Sequence, residues 1–173
     1  MNYRIEAIKV LLNEECLLVR YYSLIPLKNR LLDFYESRGC FTKVDCLRFP
    51  DEKVLESGIL VPTELSLFKR FLVMYDPNPS KFKEIDGLNL SKEERDSYKE
   101  LFLLPGVKST RASLYYKSGI KSLREMADLT YQEVIDRTKR TIKDYSLNCK
   151  APLPKEAKTH IAVATVFFKY RAE

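Results

Sequence analysis

Helix starts recur along this chain in a form that leaves little room for a sheet. Ser91-Lys92-Glu93-Glu94, Ser122-Leu123-Arg124-Glu125 and Thr130-Tyr131-Gln132-Glu133 each place Ser or Thr three residues ahead of Glu. In that pattern the hydroxyl accepts from the amide three residues on, and the Glu side chain reaches back to the first amide. Two orphan donors are satisfied together. Thr63 after Pro62 reads as a further N-cap, and Pro154 suits the first turn of a helix. Strand signals are poor by comparison. Sustained alternation is missing, and Asp86-Gly87, the single hairpin-type dipeptide, has no strand pattern on either side. The fold class expected is all-α.

The periodicity fills in the helices. Ile5, Ile8, Leu11 and Leu12 predict a helix over 3–22, and Leu65, Phe68, Leu72 and Tyr75 predict one over 63–75. Further helices are expected over 27–38 and 52–57, with 40–49 either a short helix capped by Thr42 or an extended segment. Asp76-Pro77-Asn78-Pro79 stops helix propagation, because a residue before proline is pushed out of the helical region. Residues 76–90 are therefore the linker expected between a helical region over 1–75 and a second over 91–173. The second region is expected to hold helices near 92–103, 108–117, 122–128, 131–145 and 155–170. The last contains Ile161-Ala162-Val163-Ala164-Thr165-Val166-Phe167-Phe168, apolar nearly all round, which predicts a central helix joining both halves in one core.

Composition excludes whole-chain disorder. The 173 residues include 11 Tyr and 9 Phe among 45% apolar residues, ample surface to bury. Arg4, Glu6 and Lys9 break the start of the chain, so no signal peptide is read there, and the longest apolar run is too short to span a bilayer. Cys16, Cys40, Cys46 and Cys149 form no C-x-x-C pair and read as reduced thiols. A cytoplasmic location without membrane association is the expectation.

The net charge of +6 is unevenly spread. Residues 1–90 carry 13 Lys and Arg against 13 Asp and Glu, whereas 91–173 carry 17 against 11. A one-sided basic surplus suits polyanions or acidic partners, and equally suits solvated helix faces.

Residues 103–116 read Leu103-Leu104-Pro105-Gly106-Val107-Lys108-Ser109-Thr110-Arg111-Ala112-Ser113-Leu114-Tyr115-Tyr116. They resemble the helix-hairpin-helix family, whose pattern is apolar-x-Gly-apolar-Gly-x-x-x-Ala-x-x-apolar. Ser118-Gly119-Ile120-Lys121-Ser122-Leu123-Arg124-Glu125-Met126-Ala127 is similar to the segment that follows the hairpin in many such proteins, and Pro152-Leu153-Pro154 is similar to a branch of small helical members. The resemblance spans 92–170 and implies a helix-hairpin-helix-like (SAM-like) region packed on the N-terminal helices.

The physics of the motif stands beside the resemblance. Gly106 permits a positive φ at the reversal, Val107 plugs the hairpin into the core, and Ala112 lets two helices approach. The next helix would begin with unpaired amides, a place where phosphate oxygens bind.

The family implies sequence-independent, non-enzymatic contact with the nucleic-acid backbone. Carried onto this chain, the contacts fall on Gly106, Val107, Lys108, Ser109, Thr110 and Arg111, with Lys117 and Lys121 as outer charges. Lys108 stands where the family has its second glycine, so an ammonium replaces close amide approach. The other reading is a hairpin that only packs, or a protein-interaction module.

Other candidates have plain readings. Arg137, Lys139, Arg140 and Lys143 form either a second phosphate run or a solvated face interrupted by Asp136 and Asp144. Tyr115-Tyr116 and Tyr21-Tyr22 could offer stacking surfaces, but adjacent helical positions diverge by about 100°, so at most one of each pair faces the core. His160, the only histidine, has no ligand pattern around it and is expected to be a partly buried residue of a helix's first turn. No catalytic, metal or cofactor signature is read in the sequence.

Overall fold

The computed structural model describes residues 1–173 as helices and turns. In chain order the helices are α1 (Ile8–Leu11), α2 (Lys28–Glu36), α3 (Lys43–Arg48), α4 (Asp51–Glu56), α5 (Pro62–Val73), α6 (Pro79–Asp86), α7 (Lys92–Leu101), α8 (Ser109–Lys117), α9 (Leu123–Ala127), α10 (Tyr131–Asp144) and α11 (Pro154–Lys169). Extended pairing is confined to two isolated bridges, Tyr3 with Arg171 and Arg4 with Thr42. The chain divides into two compact units, one of residues 1–76 with 169–173 and one of residues 77–168.

The first unit corrects the helix expected over 3–22. A 3₁₀ turn (Ile5–Ala7) leads into the short α1, and a 3₁₀ stretch (Val19–Leu27) follows after a break. The cause lies at Leu12 and Asn13. Leu12 leaves the helix at φ −80° and ψ 68°. The Asn13 side chain accepts the Glu15 amide at 3.0 Å, and its carbonyl accepts those of Cys16 and Leu17. Short polar side chains that offer local bonds compete with helix in this way. The apolar spacing still served burial, for Ile5, Ile8, Leu11 and Leu12 are all buried.

The ambiguous 40–49 segment forms α3, with Thr42 and Asp45 exchanging a capping box. The start of α5 precedes the expected Thr63: Pro62 is its first residue, and Glu64 Oε2 takes the Val61 amide at 2.9 Å. Tyr35 stacks on Phe68 and Phe68 on Phe71, giving an aromatic centre to this unit. The nearly buried Lys43 ammonium is paired with Asp76 at 2.5 Å.

The second unit absorbs most of the expected linker. Pro77 lies between α5 and α6, while Pro79 begins α6, since proline needs no amide partner in a first turn. Asn78 Oδ1 caps α6 by accepting the Ser80 amide at 3.1 Å. Arg95 on α7 then holds the carbonyls of Ile85 and Leu88, at 3.1 and 3.2 Å. The capping boxes at Ser91 and Thr130 form with both bonds, and Ser122 caps α9. On α11, Ala157, His160, Val163, Ala164 and Val166 are buried while Phe168 is 46% exposed, so this helix has one inward face and one outward face.

Candidate nucleic-acid interface

The hairpin is the turn between α7 and α8. Phe102, Leu104 and Val107 are buried, and Gly106 takes φ +71° at the exposed apex. The Val107 side chain plugs the turn into the core, and its amide bonds the Leu104 carbonyl at 3.3 Å. Ala112 is fully buried on α8, as a close helix approach requires. Lys108 is the N-cap of α8 with φ −125° and ψ −170°, extended backbone open to any residue. The second glycine of the pattern is thus dispensable for the turn itself.

No side chain caps α8, in contrast to α3, α7, α9 and α10. The amides of Ser109, Thr110 and Arg111 have no intrahelical acceptor at this end. Gly106, Lys108 and Thr110 are exposed beside them. A cavity of about 380 Å³ opens here, bounded by Gly106, Lys108, Thr110, Arg111, Leu114, Cys149, Lys150 and Glu156.

A histidine pins the turn from behind. His160 Nε2 lies 2.8 Å from the Pro105 carbonyl and Nδ1 lies 2.7 Å from the Tyr115 hydroxyl. A carbonyl can only accept, so Nε2 carries the proton and Nδ1 accepts from Tyr115. The imidazole is neutral. Burial pulls its pKa down to about 4, with the Pro105 bond opposing. Burial also drives the Tyr115 hydroxyl well above its ordinary range.

The expected cations divide into free and engaged. Lys108 and Lys117 are exposed and make no ion pair; Lys117 lies over the Tyr145 ring at 5.9 Å. Arg111, expected as a free phosphate contact, is instead held: it donates to the Lys150 carbonyl at 2.7 Å and pairs with Glu156 at 3.0 Å. Lys121 is likewise paired with Glu93 at 3.1 Å, which holds the Glu93 carboxyl below the usual range. Ser109 donates its hydroxyl to Glu84 Oε1 at 2.7 Å. In all three a carboxylate distant in sequence is the acceptor: Glu156 and Glu93 pair with cations, and Glu84 takes a charge-assisted hydrogen bond from the neutral Ser109 hydroxyl.

The apex nonetheless keeps a basic balance. Lys81 donates to the Leu104 carbonyl at 2.8 Å, and burial followed by the Lys108 charge pushes its pKa down, with Glu84 opposing. Lys81, Lys108, Arg111 and Lys150 thus face two carboxylates, Glu84 and Glu156. Lys150 and Cys149 were not singled out for the apex by the sequence; the loop after α10 brings them to the cavity.

The tyrosine pairs split as geometry requires. Tyr115 and Tyr21 are buried; Tyr116 packs edge-on to Tyr98 and Tyr22 bonds the Glu14 carbonyl. Arg137, Lys139, Arg140 and Lys143 are exposed on α10 opposite the buried Val134, Ile135 and Thr138. No group of three His, Cys, Asp or Glu side chains is placed to hold a metal ion, and no helix is long and apolar enough to cross a membrane.

Fold and apex together define an all-helical protein with an uncapped, basic helix tip. Comparison with protein-family models, curated proteins and solved structures finds no match to this chain.

Proposed function

We propose that the α7–α8 turn is a helix-hairpin-helix element that binds nucleic acid through the phosphate backbone, without catalysis and without reading base sequence. The observation that carries this reading is the uncapped start of α8 with Gly106, Lys108 and Thr110 exposed around it. Helix N-termini hold about half a positive charge and donate amides to phosphate oxygens. Lys108 and Lys150 supply point charges, and Thr110 supplies a hydroxyl. Arg111 is a positioning residue, tying α8 to the loop that carries Lys150. Glu84 and Glu156 weaken the field, so the expected binding is modest and sequence-blind.

The second reading, a hairpin serving packing or a protein partner, draws support from the Arg111–Glu156 and Lys121–Glu93 pairs. A titration separates the two. Labelled DNA is titrated with the protein at several salt concentrations, beside Lys108→Glu/Lys150→Glu. Backbone binding predicts affinity that falls steeply with salt, the double variant losing about two units of log–log slope at roughly 0.9 per phosphate. Binding that is undetectable, or unchanged by salt and by the substitutions, leaves the packing reading.

A further inference from the structure

The end of α10 carries a strained turn next to an exposed ring. Ser146 sits at φ +50°, the single non-glycine residue in the left-handed region. Its amide bonds the Lys143 carbonyl at 3.3 Å and that of Leu147 bonds Ile142 at 3.0 Å. This is the paired C-terminal bonding that normally has glycine at the left-handed position. Here Ser146 holds that position instead.

What the turn presents is Tyr145, 62% exposed, with Lys117 lying over its ring at 5.9 Å. Lys121, which lies over the Tyr116 ring at 4.7 Å, is by contrast paired with Glu93. From Tyr145 the chain runs back along α8 to Lys150, whose carbonyl meets Arg111 near the apex. Lys117 and Lys108 mark the two ends of this track, about 14 Å apart at the rise of an α-helix. Exposed Tyr145 with Lys117 thus lies at the C-terminal end of α8, and Lys150 meets Arg111 near its N-terminal end.

We infer that the ligand of this face is single-stranded nucleic acid, an unpaired base stacking on Tyr145 while its phosphates pass Lys117 toward Lys108 and Lys150. The inference rests on the backbone-binding reading of the apex and adds the class of strand. A duplex keeps its bases stacked on each other and has no free face for Tyr145, whereas every unpaired base has one.

The test titrates a labelled, non-self-complementary strand of about 12 nucleotides and its duplex with wild-type protein, Tyr145→Ala and Tyr145→Phe, each checked for an unchanged melting curve. The strand is expected to bind more tightly than the duplex. Tyr145→Ala should weaken strand binding roughly tenfold with the salt slope intact; Tyr145→Phe should restore it, and duplex binding should not move. DNA and RNA strands of one sequence should agree within a few-fold. Equal affinity for strand and duplex with no effect of Tyr145→Ala overturns the inference and leaves backbone binding standing. Failure to bind any oligonucleotide removes both.

Discussion

Gly106 and Ser146 both hold backbone in the left-handed region, and the difference between them is testable. A Cβ on Gly106 would meet nothing within 4 Å, so the cost of Gly106→Ala is torsional alone, about 1–2 kcal/mol. Ser146→Gly should act in the opposite sense and stabilise the chain by about 1 kcal/mol. Urea denaturation midpoints of the two variants measure both shifts; a neutral Ser146→Gly would contradict the strain at that turn. His160 adds a pH dependence at the same scale. Its pKa is about 4 in the fold and about 6.5 when exposed, so between those values the unfolded chain binds more protons. Stability from this group is complete above about pH 6.5 and declines as pH falls, by roughly 3 kcal/mol once below pH 4. His160→Gln should flatten that part of the stability profile relative to wild type. An unaltered slope would mean that the imidazole is not held neutral between Pro105 and Tyr115.

Elements differ in how plainly the sequence announces them. The starts of α7, α9 and α10 were legible because an N-cap is local: Ser91, Ser122 and Thr130 each accept the amide three residues on, although Glu125 takes the Lys121 amide and so leaves the expected box at Ser122 half formed. The segment 3–22 was not legible, because Ile5, Ile8, Leu11 and Leu12 carry helical spacing while Asn13 bonds its own neighbours and ends the helix. At the apex, Gly106 and the buried Val107 and Ala112 were legible as steric requirements. The engagement of Ser109, Arg111 and Lys121 was not, since Glu84, Glu156 and Glu93 lie 25, 45 and 28 residues away. The start of α8 gives the sharpest contrast among elements. Lys108→Asp would place a capping carboxylate there and should stabilise the protein by about 1 kcal/mol while abolishing DNA binding. A melting curve and a titration on one sample read both effects. A stabilised variant that still binds would separate the uncapped tip from the function.

At the scale of the molecule, charge follows the division into units. Residues 77–168 hold 17 Lys and Arg against 12 Asp and Glu, and the other unit holds 13 against 12. The basic surplus therefore belongs to the unit that carries the hairpin. Which residues make up each unit was only partly readable from sequence. The stop at Asp76-Pro77 was clear, but α6 falls within the expected linker, and the last residues return to the first unit. Arg4 donates its amide to the Tyr170 carbonyl and its guanidinium to the Lys169 carbonyl, both at 2.7 Å, and the Ala172 amide donates to the Asn2 carbonyl at 3.2 Å. Such pairings leave no periodic trace in the sequence. Hydrogen exchange checks the assignment: the Arg4 and Ala172 amides should exchange as part of the first unit, together with Ile5. Exchange of Arg4 and Ala172 in step with α11 and apart from Ile5 would contradict it.

Amide chemical-shift mapping during titration with a single-stranded oligonucleotide addresses the phosphate-binding apex most directly. The account expects the largest shifts at Gly106, Lys108, Ser109, Thr110, Arg111 and Lys150, continuing to Tyr145, and fading as salt is raised. Shifts confined to residues 1–76, or a spectrum that does not move, would contradict it.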